Sequence, residues 1–297
     1  MIINRTNLNA LFVAIKTSFN QGLNDTNSYY MKVATMVPST TSEEKYAWLG
    51  QFPRFREWLG DRQIKNLAAH DYAVKNKKFE STIGIPRDDL EDDTYGVFTP
   101  LYAEMGYAAA THPDELVFAL LANGFNSLCY DGQNFFDTDH PVGNEDNGVK
   151  SVSNMQAGAS EPWFLLDTNR PLKPLMFQKR RDYDIKSITD DGSDHVFLRD
   201  EFLYGVDARV NAGFGLWQLA FGSKATLDAA NFKAARQAMQ SQTSDEGRKL
   251  NVRPNLLVVG NANQSAAEEL INSEKLDNGK SNPLYNAVEI LVVPWLD

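Results

Sequence analysis

The sequence predicts an α+β protein with extended limbs, and three features carry that expectation. Apolar residues recur at helical spacing over residues 99–124. They alternate at strand spacing within 72–85, and 196–219 reads as long strands with turns. Near the C-terminal end a strand, a helix and a second strand follow one another, and both strands are continuously apolar. That order indicates a small α/β layer.

In chain order, residues 1–23 hold an amphipathic helix with Leu8, Leu11, Phe12, Ile15 and Phe19 on one face. Thr6 or Asn7 is its expected cap and Gly22 its stop. Tyr29–Val37 reads as a short strand ended by Pro38. Thr41 and Glu44 form a capping-box pair ahead of Tyr46, Trp48 and Leu49, with Gly50 as the stop. From Pro53 to Pro86 two alternating runs stand out: Tyr72 and Val74, then Phe79, Ser81, Ile83 and Ile85. They suggest a hairpin, and no helix in that segment can cover its apolar face. A lone hairpin is marginal in water, so this one is either packed on its own domain or completed by a neighbouring subunit.

The acidic run Arg87–Asp93 follows. Thr99–Pro100 starts a helix bearing Leu101, Met105 and Ala108. At Thr111–His112–Pro113 a second helix begins, or the first one kinks, and Leu116, Val117, Leu120 and Leu121 form its stripe. The pair suits one long, bent spine. Residues 134–154 read as loop and 196–219 as long strands. Asp228 caps a helix with Phe232, Ala235 and Met239 on one face. Leu256–Val259 is a buried strand, Asn263 caps a further helix, and Ile290–Val293 is a second buried strand.

Composition narrows the function. The 297 residues are 42% hydrophobic and 23% charged, the balance of a folded soluble chain with a sizeable core. No apolar run is long enough to span a bilayer, and the N-terminus lacks a signal-peptide pattern. A single cysteine, Cys129, forms no internal disulfide, which fits synthesis in a reducing interior. The formal charge of −10 argues against a protein that reads nucleic-acid sequence, but not against a container for nucleic acid.

Motifs for chemistry are sparse. The four histidines, His70, His112, His140 and His195, form no i, i+4 pair. Asp137, Asp139 and His140 in FFDTDHP are the densest polar cluster. They read either as a metal or acid–base site or as a loop held by Asx turns, and the spacing matches no common ligand pattern. Gly213 and Gly215 stand in a strand-like context and fail the dinucleotide fingerprint, so they read as a bulge or close packing. Cys129 reads as a buried structural thiol.

Charge is distributed unevenly. Arg54–Glu80 holds seven basic and four acidic residues; Arg87–Asp93 holds one basic and five acidic. These pieces either pair within the chain or place the basic arm of one subunit on the acidic run of the next. The cluster Lys179, Arg180 and Arg181 reads as a solvated face.

Several long blocks together resemble one family. FPRFREWLGDRQIKNL, KKFESTIGIPRDDLEDD, HPDELVFALLANGF, FFDTDHP, YGVDARVNAGFGLWQLAFGS and NFKAARQAMQ…NLLVVG are similar to the Mu-like tailed-phage major head subunit, the gpT family. The resemblance spans nearly the whole chain. It implies the Hong Kong 97-type capsid fold: an N-terminal arm (1–50), an E-loop (51–86), a P-domain (87–225) and an A-domain (226–297). The P-domain would carry a spine helix at about 94–125 and long strands at about 196–221.

The function implied is a head protein assembling as pentamers and hexamers into an icosahedral shell around double-stranded DNA. The chain would be made in a bacterial host cytoplasm and end in the virion. Its partners would be other copies of itself, a portal, a separate scaffold and protease, and in some cases a decoration protein. No enzymatic activity, cofactor, metal, membrane contact or covalent cross-link is expected. Phe12, Trp58, Leu59, Tyr72, Val74 and Phe79 are the expected apolar anchors between subunits. Arg54, Arg56, Arg62 and Lys65 would set register, with Asp88, Asp89, Glu91, Asp92 and Asp93 as the acidic partner patch. Two other readings stay open: a bacterial nanocompartment shell of the same fold, and a metal-dependent hydrolase built on Asp137, Asp139 and His140.

Overall fold

Asn4 begins the first helix. Its Oδ1 accepts the Asn7 N–H at 2.9 Å, and α1 runs Arg5–Asp25. The computed structural model describes residues 2–50, 52, 72–92, 98–144, 148–276 and 278–297. Asn4, not Thr6 or Asn7, is thus the cap, and Gly22 lies inside the helix. The reason is a close crossing with α4, Thr99–Ala122. A Cβ on Gly22 would stand 2.0 Å from the Ala103 carbonyl oxygen, and one on Gly106 2.1 Å from that of Phe19. Glycine at both points lets the backbones touch. Leu8, Ile15 and Phe19 are buried in the contact.

The helix α4 is one continuous spine. Pro100 occupies its first turn, and Pro113 removes one internal hydrogen bond without ending it. Its 24 residues span about 36 Å. The buried Asp114 carboxylate on this helix accepts the N–H groups of Tyr29 (2.9 Å) and Tyr30 (2.6 Å). Those contacts start a helical turn, α2 (Tyr30–Val33), where the sequence suggested strand. Strand β1 keeps only Ala34–Pro38.

Thr41 and Glu44 cap no helix. Glu44 Oε1 accepts from the Thr40 and Thr41 N–H groups (2.9 and 3.1 Å) and from the Ser39 and Thr41 hydroxyls (2.8 and 2.9 Å). The backbone donors, then the hydroxyls, pull its carboxyl down to about 2. The result is a closed turn before strand β2, Glu43–Lys45.

The first sheet has the order β1–β9–β10–β4. Strands β9 (Leu175–Ile188) and β10 (Glu201–Phe214) form a 14-residue antiparallel arm. Strand β4 (Lys77–Pro86) runs along β10 as an edge, with Lys77 opposite Val210 and Pro86 opposite Glu201. Strand β3 (Ala73–Lys75) pairs with β2, so β3 and β4 are not partners in a hairpin. The described part of the 51–86 segment therefore lies on its own chain. Val196–Arg199 is helical rather than extended, within α5 (Asp194–Arg199), because the Ser193 hydroxyl caps it. Asp200, in the left-handed region at φ 52°, ends that helix. Short helix α3 (Arg87–Asp92) carries the acidic run.

The second sheet has the order β13–β12–β8–β11–β7. At its centre β8 (Trp163–Leu166) is wholly buried. Strand β12 (Leu256–Val259) lies between β8 and β13 (Glu289–Val292), parallel to the latter. Strands β11 (Ala220–Ser223) and β7 (Met155–Gln156) complete it. Helices α6 (Ala229–Ser241) and α7 (Gln264–Asn272) flank the layer. Asp228 caps α6, accepting the Asn231 N–H at 2.8 Å, and Phe232, Ala235 and Met239 are its buried face. Asn263 instead donates its side-chain amide to Glu161 O at 2.9 Å. Gly213 packs against Val74: a Cβ there would meet Val74 Cγ2 at 2.4 Å.

Candidate functional site

The residues expected to bind neighbouring subunits fall into three groups. Arg54, Arg56, Trp58, Leu59, Arg62, Lys65 and Asp93 lie outside the described residues. Phe12, Tyr72, Val74 and Phe79 make contacts within the chain. Phe12 is half-buried against the core between α1 and α4. The Tyr72 hydroxyl accepts the Phe214 N–H at 2.7 Å, and burial pushes its phenol well above the ordinary range. Val74 is buried and belongs to the core. Phe79 sits edge-on to His112, ring centres 4.3 Å apart. The third group, Asp88, Asp89, Glu91 and Asp92, is exposed on α3.

Register separates the two charge clusters on the described surface. Lys77 and Lys78 stand at one end of β4, and α3 follows its other end. Eight to ten extended residues span about 30 Å. These lysines therefore do not pair with α3 of their own chain. Of the second basic cluster, Lys179 meets Asp182 at 2.6 Å, Arg181 pairs with Asp207, and Arg180 donates to Thr41 O at 2.6 Å.

Asp137 and Asp139 share a side-chain hydrogen bond, but His140 does not join them. Asp137 accepts the Thr138 N–H at 2.7 Å and the Asn134 backbone and side-chain N–H groups at 3.2 and 3.1 Å, which is loop geometry. Its carboxyl, shared with Asp139, raises that of Asp139. His140 turns inward. Its Nδ1 lies 2.7 Å from Asp131 Oδ2 and its Nε2 3.2 Å from Asn154 Oδ1. Its ring stacks on Trp217 at 3.9 Å.

Cys129 completes this buried group, its thiol donating to Asp131 Oδ1 at 3.1 Å. Burial, then the Asp131 charge, pushes the thiol far above its usual range. Burial alone would raise the Asp131 carboxyl, but hydrogen bonds from His140 and Cys129 outweigh it and lower the net value. Cys129, Asp131 and His140 bring three possible metal-ligand atoms within 4.8 Å of one another. Those atoms already satisfy each other, so the group closes a polar network under Trp217. Asp131 was invisible as a partner of His140 because nothing in the sequence pairs residues nine apart in a loop.

The described residues form a scaffold of two large sheets, two short two-stranded ones (β2–β3, and β5, His140–Val142, with β6, Lys150–Val152), a spine and exposed charged ends. The family model described as the Mu-like prophage major head subunit gpT matches residues 8–296. The chain belongs to this family. This gpT-family chain is 41% identical over 305 residues to the major capsid protein of Escherichia phage Mu, covering all of both chains. It is 44% identical over 272 residues to the Mu-like prophage FluMu major head subunit of Haemophilus influenzae, covering 89% of this chain and 88% of the other. Among solved structures, a procapsid chain of bacteriophage JBD30 overlays with a TM-score of 0.89 at 48% identity, covering 99% of this chain and 100% of the other. A capsid chain of JBD30 overlays at 0.78 with 39% identity, covering both fully.

These gpT-family relatives fix the α+β capsid fold and a structural role. The chain is the major head subunit of a Mu-like phage, a shell component and not an enzyme. Among the described residues no helix is long and apolar enough to cross a membrane.

Proposed function

We propose that this gpT-family subunit encloses double-stranded DNA in an icosahedral head, with the Arg54–Lys65 part of the 51–86 segment acting as a limb between neighbouring copies, while β3, β4 and α1 stay packed on their own chain. The full-length overlay on a JBD30 procapsid chain at a TM-score of 0.89 carries this reading. The limb segment Arg54–Lys65 brings Trp58 and Leu59 as apolar anchors and Arg54, Arg56, Arg62 and Lys65 as register-setting charges. Asp88, Asp89, Glu91 and Asp92 present an exposed acidic surface to such a limb. Each contact can be modest, because every copy engages several neighbours at once. The acidic chain contains its polymer without sequence readout.

The scaffold, protease and portal are separate proteins in this reading, and synthesis takes place in the bacterial cytoplasm. A capsid of JBD30 carries minor capsid protein trimers, and an equivalent partner outside this shell belongs to the same proposal. Full-length phage head relatives favour this over a nanocompartment shell, and the divergence of Asp137 and His140 removes the geometry a hydrolase needs.

Deletion of residues 56–80, followed by sedimentation and negative-stain microscopy, tests the limb. The wild-type chain should give closed shells and the deletion open fragments or free subunits. Closed shells of normal thermal stability from the deletion would overturn the limb assignment.

A further inference from the structure

The β9–β10 arm ends in a tip whose residues stand apart from the rest of the surface. Phe197 is 81% exposed and Leu198 76%, adjacent on α5, with Ile188 of β9 exposed at 45% nearby. Surfaces seldom leave two neighbouring large apolar side chains this bare without a use. The tip is also held firmly. Val196, on the opposite side of α5, is buried at 1% in the core shared by α1, α4 and β10. The Ser193 hydroxyl caps the turn at 3.3 Å from the Val196 N–H. Arg87 pairs with Asp191 and Asp200 and lies over the Phe202 ring at 4.9 Å. His195 reaches Glu201 at 3.1 Å. A pre-ordered anchor loses little entropy on binding.

Charge then selects the partner. Exposed Asp190 and Asp194 flank the tip against one exposed base, Arg199, and exposed Asp88 and Asp89 extend the acidic surface. Tips meeting tips would set these acids against one another. The other end of the same sheet carries exposed Lys77 and Lys78 on β4, with exposed Lys75 beside them on the adjoining β3 opposite Glu43 of β2, and no described ion pair involves the three lysines. From the Phe202–Ile85 pair to the Val210–Lys77 pair is eight residues, about 27 Å. That is about three Debye lengths at physiological salt, so the two ends act as separate, opposite charges. A polar object of this kind joins head to tail, the heterologous contact from which rings are built.

We propose that the Phe197–Leu198 tip of one subunit docks on the Lys75–Lys78 end of the sheet in a second copy of this chain. The proposal rests on the shell reading and names a contact within it. The lysines meet the acidic residues, and the apolar pair is removed from water between them.

The chain's one cysteine is buried, so introduced thiols can be read cleanly. Leu198→Cys and Lys78→Cys chains are assembled separately and as a mixture, then treated with a short bis-maleimide. Mixed shells should give a cross-linked dimer that neither variant gives alone. A dimer from Leu198→Cys alone would show tips meeting tips. A cross-link only to a different protein would assign the tip to that protein. Either result, or no cross-link in intact shells, overturns the proposal. If the unsubstituted chain makes no shells, it is the shell reading that fails. As a second measurement, Asp194→Lys and Lys78→Glu should each reduce closed shells about tenfold, with recovery in the double variant. No recovery would also overturn the pairing. Phe197→Ser with Leu198→Ser should lower shell yield while leaving the melting of the unassembled subunit unchanged; equal yields would refute the role of the apolar pair.

Discussion

Asp114 offers a stringent check on how the spine organises the chain before it. Its side chain is fully buried, and among the described residues its oxygens accept from the N–H groups of Tyr29 and Tyr30 at 2.6–3.0 Å. Asp114→Leu keeps the branching at Cγ but leaves both donors without an acceptor. An unpaired buried donor costs about 1–3 kcal/mol, so with two of them the variant should lose about 2–6 kcal/mol. Asp114→Asn keeps one acceptor and removes a buried charge, and should stay within about 1 kcal/mol of wild type.

The pH dependence has a definite sign. Burial, partly offset by the two N–H groups, holds this carboxyl above the ordinary aspartate range when folded. A folded value above the unfolded one means ionisation opposes folding. Wild type should therefore gain stability relative to Asp114→Asn as pH falls through the folded value, with the gain complete below the unfolded value of about 3.9. Urea unfolding of the unassembled subunit at neutral and mildly acidic pH measures both effects. A leucine variant as stable as wild type, or an asparagine variant as damaged as the leucine one, would refute the reasoning.

Other outcomes are equally direct. Gly106→Ala places a methyl 2.1 Å from the Phe19 carbonyl, must push α1 off α4, and should cost about 1–3 kcal/mol in thermal melting. Asp131 has the opposite pH sign from Asp114. Its lowered folded value contributes stability that is present above the unfolded value and lost as pH falls through the folded one, and Asp131→Asn should abolish that dependence in acid-unfolding curves. Cys129, with its thiol pushed far up by burial, should resist maleimide at pH 8 until urea unfolds the chain. Rapid labelling of the native subunit would contradict its placement.

Much of the fold was legible locally. The Asp228 cap with its Phe232–Ala235–Met239 face and the apolar run Leu256–Val259 each lie on one element, where spacing alone signals the partner face. On α4 the spacing found Met105, Val117 and Leu121, but Leu101 and Ala108 are exposed, and Tyr102, Ala109 and Phe118 are buried instead because α1 and the first sheet pack on a face turned from the expected one. Strand β9 was not read because it lacks a period. Leu175–Gln178 are all buried, whereas the following residues are largely charged and paired across strands. The turn at Tyr30 was misread as strand because its cap arrives from Asp114, 84 residues away. Glu44 was misread as a helix cap because the same side chain closes a tight turn equally well.

Residue order and composition alone were enough for the class of the protein: an acidic α+β chain with a long helix and blocks resembling a phage head subunit. Which residues are available to a neighbour came from the three-dimensional packing. It buried Val74 against Gly213, turned His140 inward to Asp131, and left Phe197 and Leu198 bare at the end of a 14-residue arm. The physical reason is that periodicity records which face of an element is apolar. What covers that face depends on contacts between residues far apart along the chain.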